Sequence, residues 1–421
     1  MVTLYSREVV RGQRGQRVMR VLHVIPSVAE RSGGPATAII PMCRALMEQG
    51  VEVLLVTTDA GLSDDQLDRK SWGLPPILRN YKGVPAMFFP SQLGESFKYS
   101  RPLSSWLRSN VQQFGLAHIH AVFNHSSVAA AHACRKAGVP YIVRPLGTLD
   151  PWSMAQKSLR KRLFWQVSGK GMLRRASAVH YTSAVEKRAT EELLEMNHGK
   201  VIALGIDGDV SNSFGKDTLT EYFPLLARDP YLLVMSRLHP KKGLDVLLDA
   251  FLSLAQEKRW ERWRLVIAGD GAADYVLKLK SKAKSQRERI VFTGWLEGEK
   301  KAAVLSGASL LVLPSYQENF GLCVMEALST SVPVLVSPHV NLAEEIDSVS
   351  AGWISEVEKD ALAATLAQAL SDEAELERRG RAGKELSERY SWGAAAKSLR
   401  ELYEDISRKG AKTQRKALRF P

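Results

Sequence analysis

Ser309-Leu-Leu-Val-Leu-Pro-Ser-Tyr-Gln-Glu-Asn-Phe-Gly-Leu-Cys-Val-Met-Glu-Ala-Leu-Ser-Thr330 is the stretch that decides the fold. Ser309 to Pro314 is short and almost wholly apolar, as a strand buried on both faces of a parallel sheet requires. Helical spacing begins near Leu322, so the segment reads strand, loop, helix. Glu318 then sits in a loop at the end of a strand, where open α/β sheets bind their ligands. Gly321 lets backbone approach a ligand, and the free N–H groups that follow favour an anion such as phosphate. Glu326 lies about one helical turn further in. Carboxylates accept hydrogen bonds and suit the paired hydroxyls of a ribose or hexose. Read for chemistry, the stretch is a site for a ligand carrying both phosphate and sugar. Read without it, Glu318 is a solvated loop residue and Glu326 an exposed helix glutamate.

The same grammar extends in both directions. Upstream, Tyr231 to Ser236 is a strand, followed by Arg237-Leu-His-Pro-Lys-Lys-Gly243 and a helix over 244–256. Arg264 to Asp270 and Ile290 to Leu296 repeat the pattern, with glycine turns at Gly269 to Gly271 and at Gly294, and Val332 to Ser337 follows. The N-terminal half has Met19 to Pro26, a loop with Gly33-Gly34, a helix to Gln49 and a strand from Val51. Further strands are read at 117–121, 141–144 and 178–181. Alternating strands and helices in both halves predict an α/β chain of two Rossmann-like, doubly wound parallel-sheet domains facing a cleft. The expected divisions are a basic tail over 1–18, a first domain over 19–205, a second over 206–389 that opens with a connection over 206–229, and a helix with a basic tail over 390–421. That last helix is expected to pack across both halves.

Composition narrows the function. A chain of 421 residues with 45% apolar and 24% charged residues is a soluble-protein composition, too long for one ordinary core. Cys43, Cys134 and Cys323 are far apart and form no disulfide framework or thiolate zinc pattern. No apolar run reaches the roughly 20 residues that span a bilayer, and the first residues lack a signal-peptide core. A cytoplasmic location is the expectation. The net charge of +13 asks for an anionic partner. Nucleic acid lacks a supporting motif. The segment 152–175 is a basic amphipathic helix in which Leu159, Leu163, Phe164 and Trp165 fall near one face, with Lys157, Arg160, Lys161 and Arg162 around them. It reads either as a helix lying in an anionic membrane surface or as a core-packing helix with a solvated basic face.

Arg237 follows a strand and Lys242-Gly243 precedes a helix, so a guanidinium fork and a point charge share the strand-end crevice with Glu318 and can clamp a diphosphate. At this point the chain resembles the retaining glycosyltransferases of family 4, with the GT-B arrangement. The resemblance runs from about Arg20 to Asp405 and is most specific in Ser236 to Gly243 and in Glu318 to Glu326. It implies transfer of a sugar from a UDP- or GDP-sugar to a saccharide or lipid-linked saccharide, with retention and without a metal or other cofactor. It implies that Arg237 and Lys242 hold the diphosphate, that Glu318 contacts the sugar within the run Glu318-Asn319-Phe320-Gly321-Leu322, and that Glu326 holds the ribose. Gly33 and Gly34 match the family's glycine loop and Gly294-Trp-Leu296 the base-binding turn, while the glycine turn at Gly269 lies at the same strand-end edge. Segment 144–165 resembles members that extend surface polysaccharides on lipid carriers, which favours a peripheral membrane location.

One departure stands out. Many members carry a histidine beside the sugar where this chain has Leu146; either His120 or His125 fills that catalytic role, or it is absent. His118, His120 and His125 lack a carboxylate companion and read as satisfied histidines rather than metal ligands, and Asp207-Gly-Asp209 is a chance resemblance to a metal-binding pair. A sugar-nucleotide epimerase or hydrolase on the same fold, or a nucleotide-sugar-binding protein at a membrane surface, are the competing readings.

Overall fold

In the computed structural model, residues 18–63, 76–93, 97–150, 153–154, 158–206 and 216–417 are described. Asp207 and Asp209, both basic tails up to residue 17 and beyond 417, Trp152, Lys157 and the side chain of Arg160 lie outside them.

The first sheet holds β1 (Arg20–Val24), β2 (Glu52–Thr58), β3 (Ile77–Tyr81), β4 (Val84–Phe89), β5 (Leu116–His120), β6 (Tyr141–Arg144), β7 (Ala178–Tyr181) and β8 (Gly199–Val201). Its order is β3-β4-β2-β1-β5-β6-β7-β8. The second sheet holds β9 (Tyr231–Met235), β10 (Arg264–Ala268), β11 (Ile290–Gly294), β12 (Leu310–Leu313), β13 (Val334–Val336) and β14 (Gly352–Ile354), ordered β11-β10-β9-β12-β13-β14. Every pairing is parallel except β3 with β4. That hairpin departs from an all-parallel expectation. Lys82 (φ 50°) and Gly83 (φ 85°) both take the left-handed conformation of a tight two-residue turn, and β3 is an edge strand whose Arg79 and Asn80 hide its pattern.

Apolar residues alternate between the two faces of each sheet. Leu310 and Val312 enter one core of the second domain while Leu311 and Leu313 enter the other. This two-sided burial is why its strands read as unbroken apolar runs.

The two domains are joined by chain segments that run side by side. Ile206 N–H donates to Tyr390 O at 2.9 Å, and a Cβ on Gly205 would lie 2.4 Å from Trp392 N. The helix Trp392–Ala417 then lays Ala396, Leu399, Leu402, Tyr403 and Ile406 on the first domain's core, beside the helix Gly34–Glu48. Its main face therefore belongs to the first domain, and the approach to it, through the Tyr390 ring against Phe320 (centroids 5.8 Å apart), touches the second.

Segment 158–174 runs as the helix Ser158–Phe164, a π-helical turn over Trp165–Gly169, and the helix Lys170–Arg174. Its apolar residues do not share one face. Phe164 and Trp165 turn inward onto Phe123, while Leu159, Leu163 and Val167, spaced four apart, stand 81%, 68% and 74% exposed. Among the described residues no helix is long and apolar enough to cross a membrane.

Candidate functional site

Among the parallel strands of each sheet the order reverses at one place, at β1 and β5 in the first and at β9 and β12 in the second. Loops leaving neighbouring strands there diverge to opposite faces and open a crevice. The two crevices meet in a cleft of about 710 Å³.

The second-domain wall is built from three loops. After β9, Arg237 enters the cleft, and the turn Pro240–Lys242 brings Lys242 to Glu318, to whose carboxylate it donates a hydrogen bond. Gly243 (φ 66°) ends the turn where a Cβ would lie 2.1 Å from Pro314 O, so no other residue fits there without moving the strand end. Glu318 is pinned through its own backbone, its N–H donating to His339 O and its carbonyl accepting from Asn341 N–H, each at 3.0 Å. Burial pushes the Glu318 carboxyl up, but the charge and hydrogen bond of Lys242, with Lys241, hold it below its ordinary range. Burial likewise lowers the Lys241 ammonium to about 8, against the pull of Glu318.

Gly321 (φ 70°) opens the helix Leu322–Ser329, whose Glu326 accepts from Lys301 Nζ at 2.6 Å. Leu296, Asn319, Phe320 and Leu322 line the same wall. Gly269 joins them where a Cβ would collide with Ser236 O, whereas Gly294 (φ 73°) bends the chain at the end of β11 with open space before it.

The first-domain wall approaches very closely. Gly33 (φ 101°) sits so near Arg237 that a Cβ there would be 3.0 Å from its Nε, and Gly34 faces Leu322. The loop after β6 carries Leu146 (φ 63°) and Gly147 (φ 65°), consecutive left-handed residues, and a Cβ on Gly147 would lie 2.7 Å from Asn319 Cβ. A left-handed leucine costs about 1–2 kcal/mol. Glu186 offsets that strain by fixing the loop, accepting from Gly147 N–H (2.6 Å), Thr182 N–H (2.9 Å) and Thr182 Oγ1 (3.1 Å). Asn319 Nδ2 donates across the cleft to Thr182 Oγ1 (2.7 Å), and Asn341 Nδ2 to Ser183 Oγ (3.0 Å).

Neither histidine fills the place taken by Leu146. His120 is fully buried and outside the cleft lining. Alternation along β5 turns it and His118 to the face covered by Tyr403, so only Ala121, one residue later, reaches the cleft. His125 is held by Ser100 N–H (3.2 Å) and Ser104 Oγ (3.1 Å), also away from it. The buried set is instead His23, His118, His120 and His180. Ile202 O must accept from His180 Nε2, so His180 Nδ1 accepts from His118 Nε2 and His118 Nδ1 accepts from the Tyr403 hydroxyl. His23 and His120 share one further hydrogen bond at 3.1 Å. Burial, with Arg144 beside them, lowers His23 and His180 to about 3 and keeps all four neutral. Ring nitrogens of His23, His118 and His120 lie within 4.8 Å of one another, close enough for a cation, but the Arg144 charge opposes one there.

Residues 33–205 match the family described as a glycosyl transferase 4-like domain, and residues 218–386 match glycosyl transferases group 1. Residues 218–386 thus belong to the group 1 glycosyltransferases and residues 33–205 to the glycosyl transferase 4-like domains. It is 30% identical to a D-inositol 3-phosphate glycosyltransferase of Corynebacterium efficiens over 41% of this chain and 42% of that protein. It is also 30% identical to an O-antigen chain mannosyltransferase B of Escherichia coli, over 40% of this chain and 44% of the relative. Each match thus spans under half of the relative. HepE of Anabaena, solved in complex with UDP and glucose, shares the fold with a TM-score of 0.73 at 20% identity, covering 92% of this chain and 99% of that one. The two-domain GT-B architecture expected from the sequence is what the structure has.

Sequence reasoning missed Lys301, Asn341, Lys98 and Arg144. Lys301 looks like an ordinary helix lysine, and nothing local to Asn341 or Lys98 marks it. Arg144 did carry a signal, a charge that ends an otherwise apolar strand at the ligand-binding edge of its sheet.

Proposed function

We propose that the chain transfers a sugar from a UDP- or GDP-sugar to a saccharide or lipid-linked saccharide, with retention of configuration. The observation that supports this reading best is the convergence of Arg237, Lys242, Glu318 and Glu326 at the strand-order reversal of the second sheet, on a cleft closed by the first domain. Arg237 and Lys242 take the diphosphate, Lys242 exchanging its Glu318 partner for phosphate oxygens. Glu318 then faces the sugar and Glu326 the ribose. As the bond from C1 to the diphosphate oxygen breaks, its electron pair leaves with the diphosphate. The acceptor oxygen forms the new bond to C1 on the same face, and its proton passes to the departing phosphate. The clamp supplies the cationic stabilisation, and the Glu318 carboxylate stabilises positive charge at C1.

No metal enters this scheme, so a chelator leaves turnover unchanged. HepE, bound to UDP and glucose in its solved complex, supports the donor class. The reading extends to an acceptor at the inner membrane surface, used in surface-polysaccharide or glycolipid synthesis. Supporting it are the exposed Leu159, Leu163 and Val167, which form a ridge next to exposed Arg162. Incubation with UDP- and GDP-sugars and mixed saccharide acceptors tests the reaction. A glycosylated product supports it, and release of free sugar with no product points to a hydrolase. Leu159→Ser/Leu163→Ser tests the surface: co-sedimentation with anionic vesicles should drop at least fivefold, and equal sedimentation removes the membrane claim.

A further inference from the structure

Charge in the cleft exceeds what a donor needs. Eight lysine and arginine residues line it against four glutamates, a surplus of four positive charges. The diphosphate of a nucleotide sugar brings two negative charges, and about two positive charges remain.

Two side chains on the first-domain wall account for that remainder. Arg144 is 2% exposed, ends β6 and lines the cleft, yet among the described residues its guanidinium makes no hydrogen bond or ion pair, and its Nε is buried without a partner. Glu186 lies near enough to act on it electrostatically, but that carboxylate is already occupied by Gly147 and Thr182. A buried guanidinium without an acceptor is costly, and a native fold keeps one where a ligand supplies the missing oxygens. Lys98 also lines the cleft, half-buried, with no hydrogen bond or ion pair among the described residues, in the left-handed conformation (φ 52°) that lysine rarely adopts. Burial and the like charge of Arg237 both disfavour its ammonium. Each cation stands unmatched on the wall opposite the donor motif.

We propose that Lys98 and Arg144 bind a doubly charged phosphoryl group carried by the acceptor, on the first-domain wall of the cleft. The inference rests on the donor reading above, which assigns Arg237 and Lys242 to the other anion. A guanidinium fork and an ammonium together match the charge and oxygens of a phosphate monoester or a diphosphate. A phosphorylated sugar in solution and a lipid-borne diphosphate share that chemistry.

Calorimetry separates these claims. UDP and GDP are first titrated into the full chain, and inorganic pyrophosphate is then titrated into protein saturated with whichever nucleotide binds. Loaded wild type should bind pyrophosphate. Lys98→Met should weaken that binding at least tenfold while nucleotide affinity stays within twofold. Arg144→Lys, which keeps a charge in the buried position if Arg144→Ala fails to fold, should weaken it several-fold. The proposal is overturned if loaded wild type takes up no pyrophosphate at millimolar concentration. It is equally overturned if Lys98→Met loses nucleotide in parallel, which would place Lys98 in the donor clamp. If neither nucleotide binds, the donor reading fails by itself, and the titration on the empty cleft still shows whether a Lys98-dependent anion site exists. Farnesyl diphosphate binding more tightly than pyrophosphate assigns the group to a lipid carrier, and equal affinity assigns it to a soluble phosphorylated sugar.

Discussion

The two walls of the cleft stand at equivalent places, the strand-order reversals of two parallel sheets, and treat charge in opposite ways. On the second-domain wall, Lys242 is paired with Glu318 and Lys301 with Glu326. On the first, Arg144 and Lys98 form no ion pair among the described residues, and four histidines beside Arg144 are held neutral by burial. The comparison teaches that a ligand site can be prepared in two ways. On the proposed reading, paired charges exchange partners when the ligand arrives, whereas unpaired ones wait for the ligand to complete them.

The largest effect that would sharpen this contrast is acid lability seated in the first domain. His23 and His180 titrate near 3 when folded and near 6.5 when unfolded. Below pH 6.5 the unfolded chain therefore takes up protons that the folded chain refuses, and stability falls as pH falls. At pH 5 this costs about 2 kcal/mol for each of the two, with His118 and His120 acting in the same direction. Urea midpoints between pH 7 and pH 5 should drop steeply. A flat profile would show that the cluster is open to protons in the folded state and break the contrast.

Next comes Glu318→Gln, which keeps the shape of the second-domain wall and removes its charge. Transfer should fall on the order of 10²-fold while nucleoside diphosphate affinity changes much less. Normal turnover would make Glu318 a bystander.

The smallest expected effect lies at Leu146. Leu146→Asn suits the left-handed backbone and gives up apolar contact, so stability should change by about 1 kcal/mol or less. A large thermal-melting shift would mean that the loop after β6 is held by the leucine side chain rather than by Glu186.

The sequence made the two walls unequally legible. Strands buried on both faces are apolar runs, so the parallel sheets and the Glu318 to Glu326 motif stand out locally, as does the Arg237 to Gly243 turn. Ser183 caps the helix Ala184–Leu194 through an equally local signal, a serine directly before the helix. The first-domain wall depends on relations between distant strands. His23, His118, His120 and His180 become one set only when β1, β5 and β7 are placed in one sheet with the helix Trp392–Ala417 across it. His120 looked available because it ends a strand, and the alternation that turns it away becomes decisive only once the covering helix is known. Whether Lys98 has a partner depends on every neighbour at once, which no local pattern expresses.

The most direct test of the account is calorimetry of UDP and GDP with wild type, Arg237→Ala and Lys242→Ala. One nucleotide should bind wild type, and each substitution should weaken it about tenfold or more, since each removes a charge-assisted hydrogen bond. Unchanged affinity in both variants would contradict it.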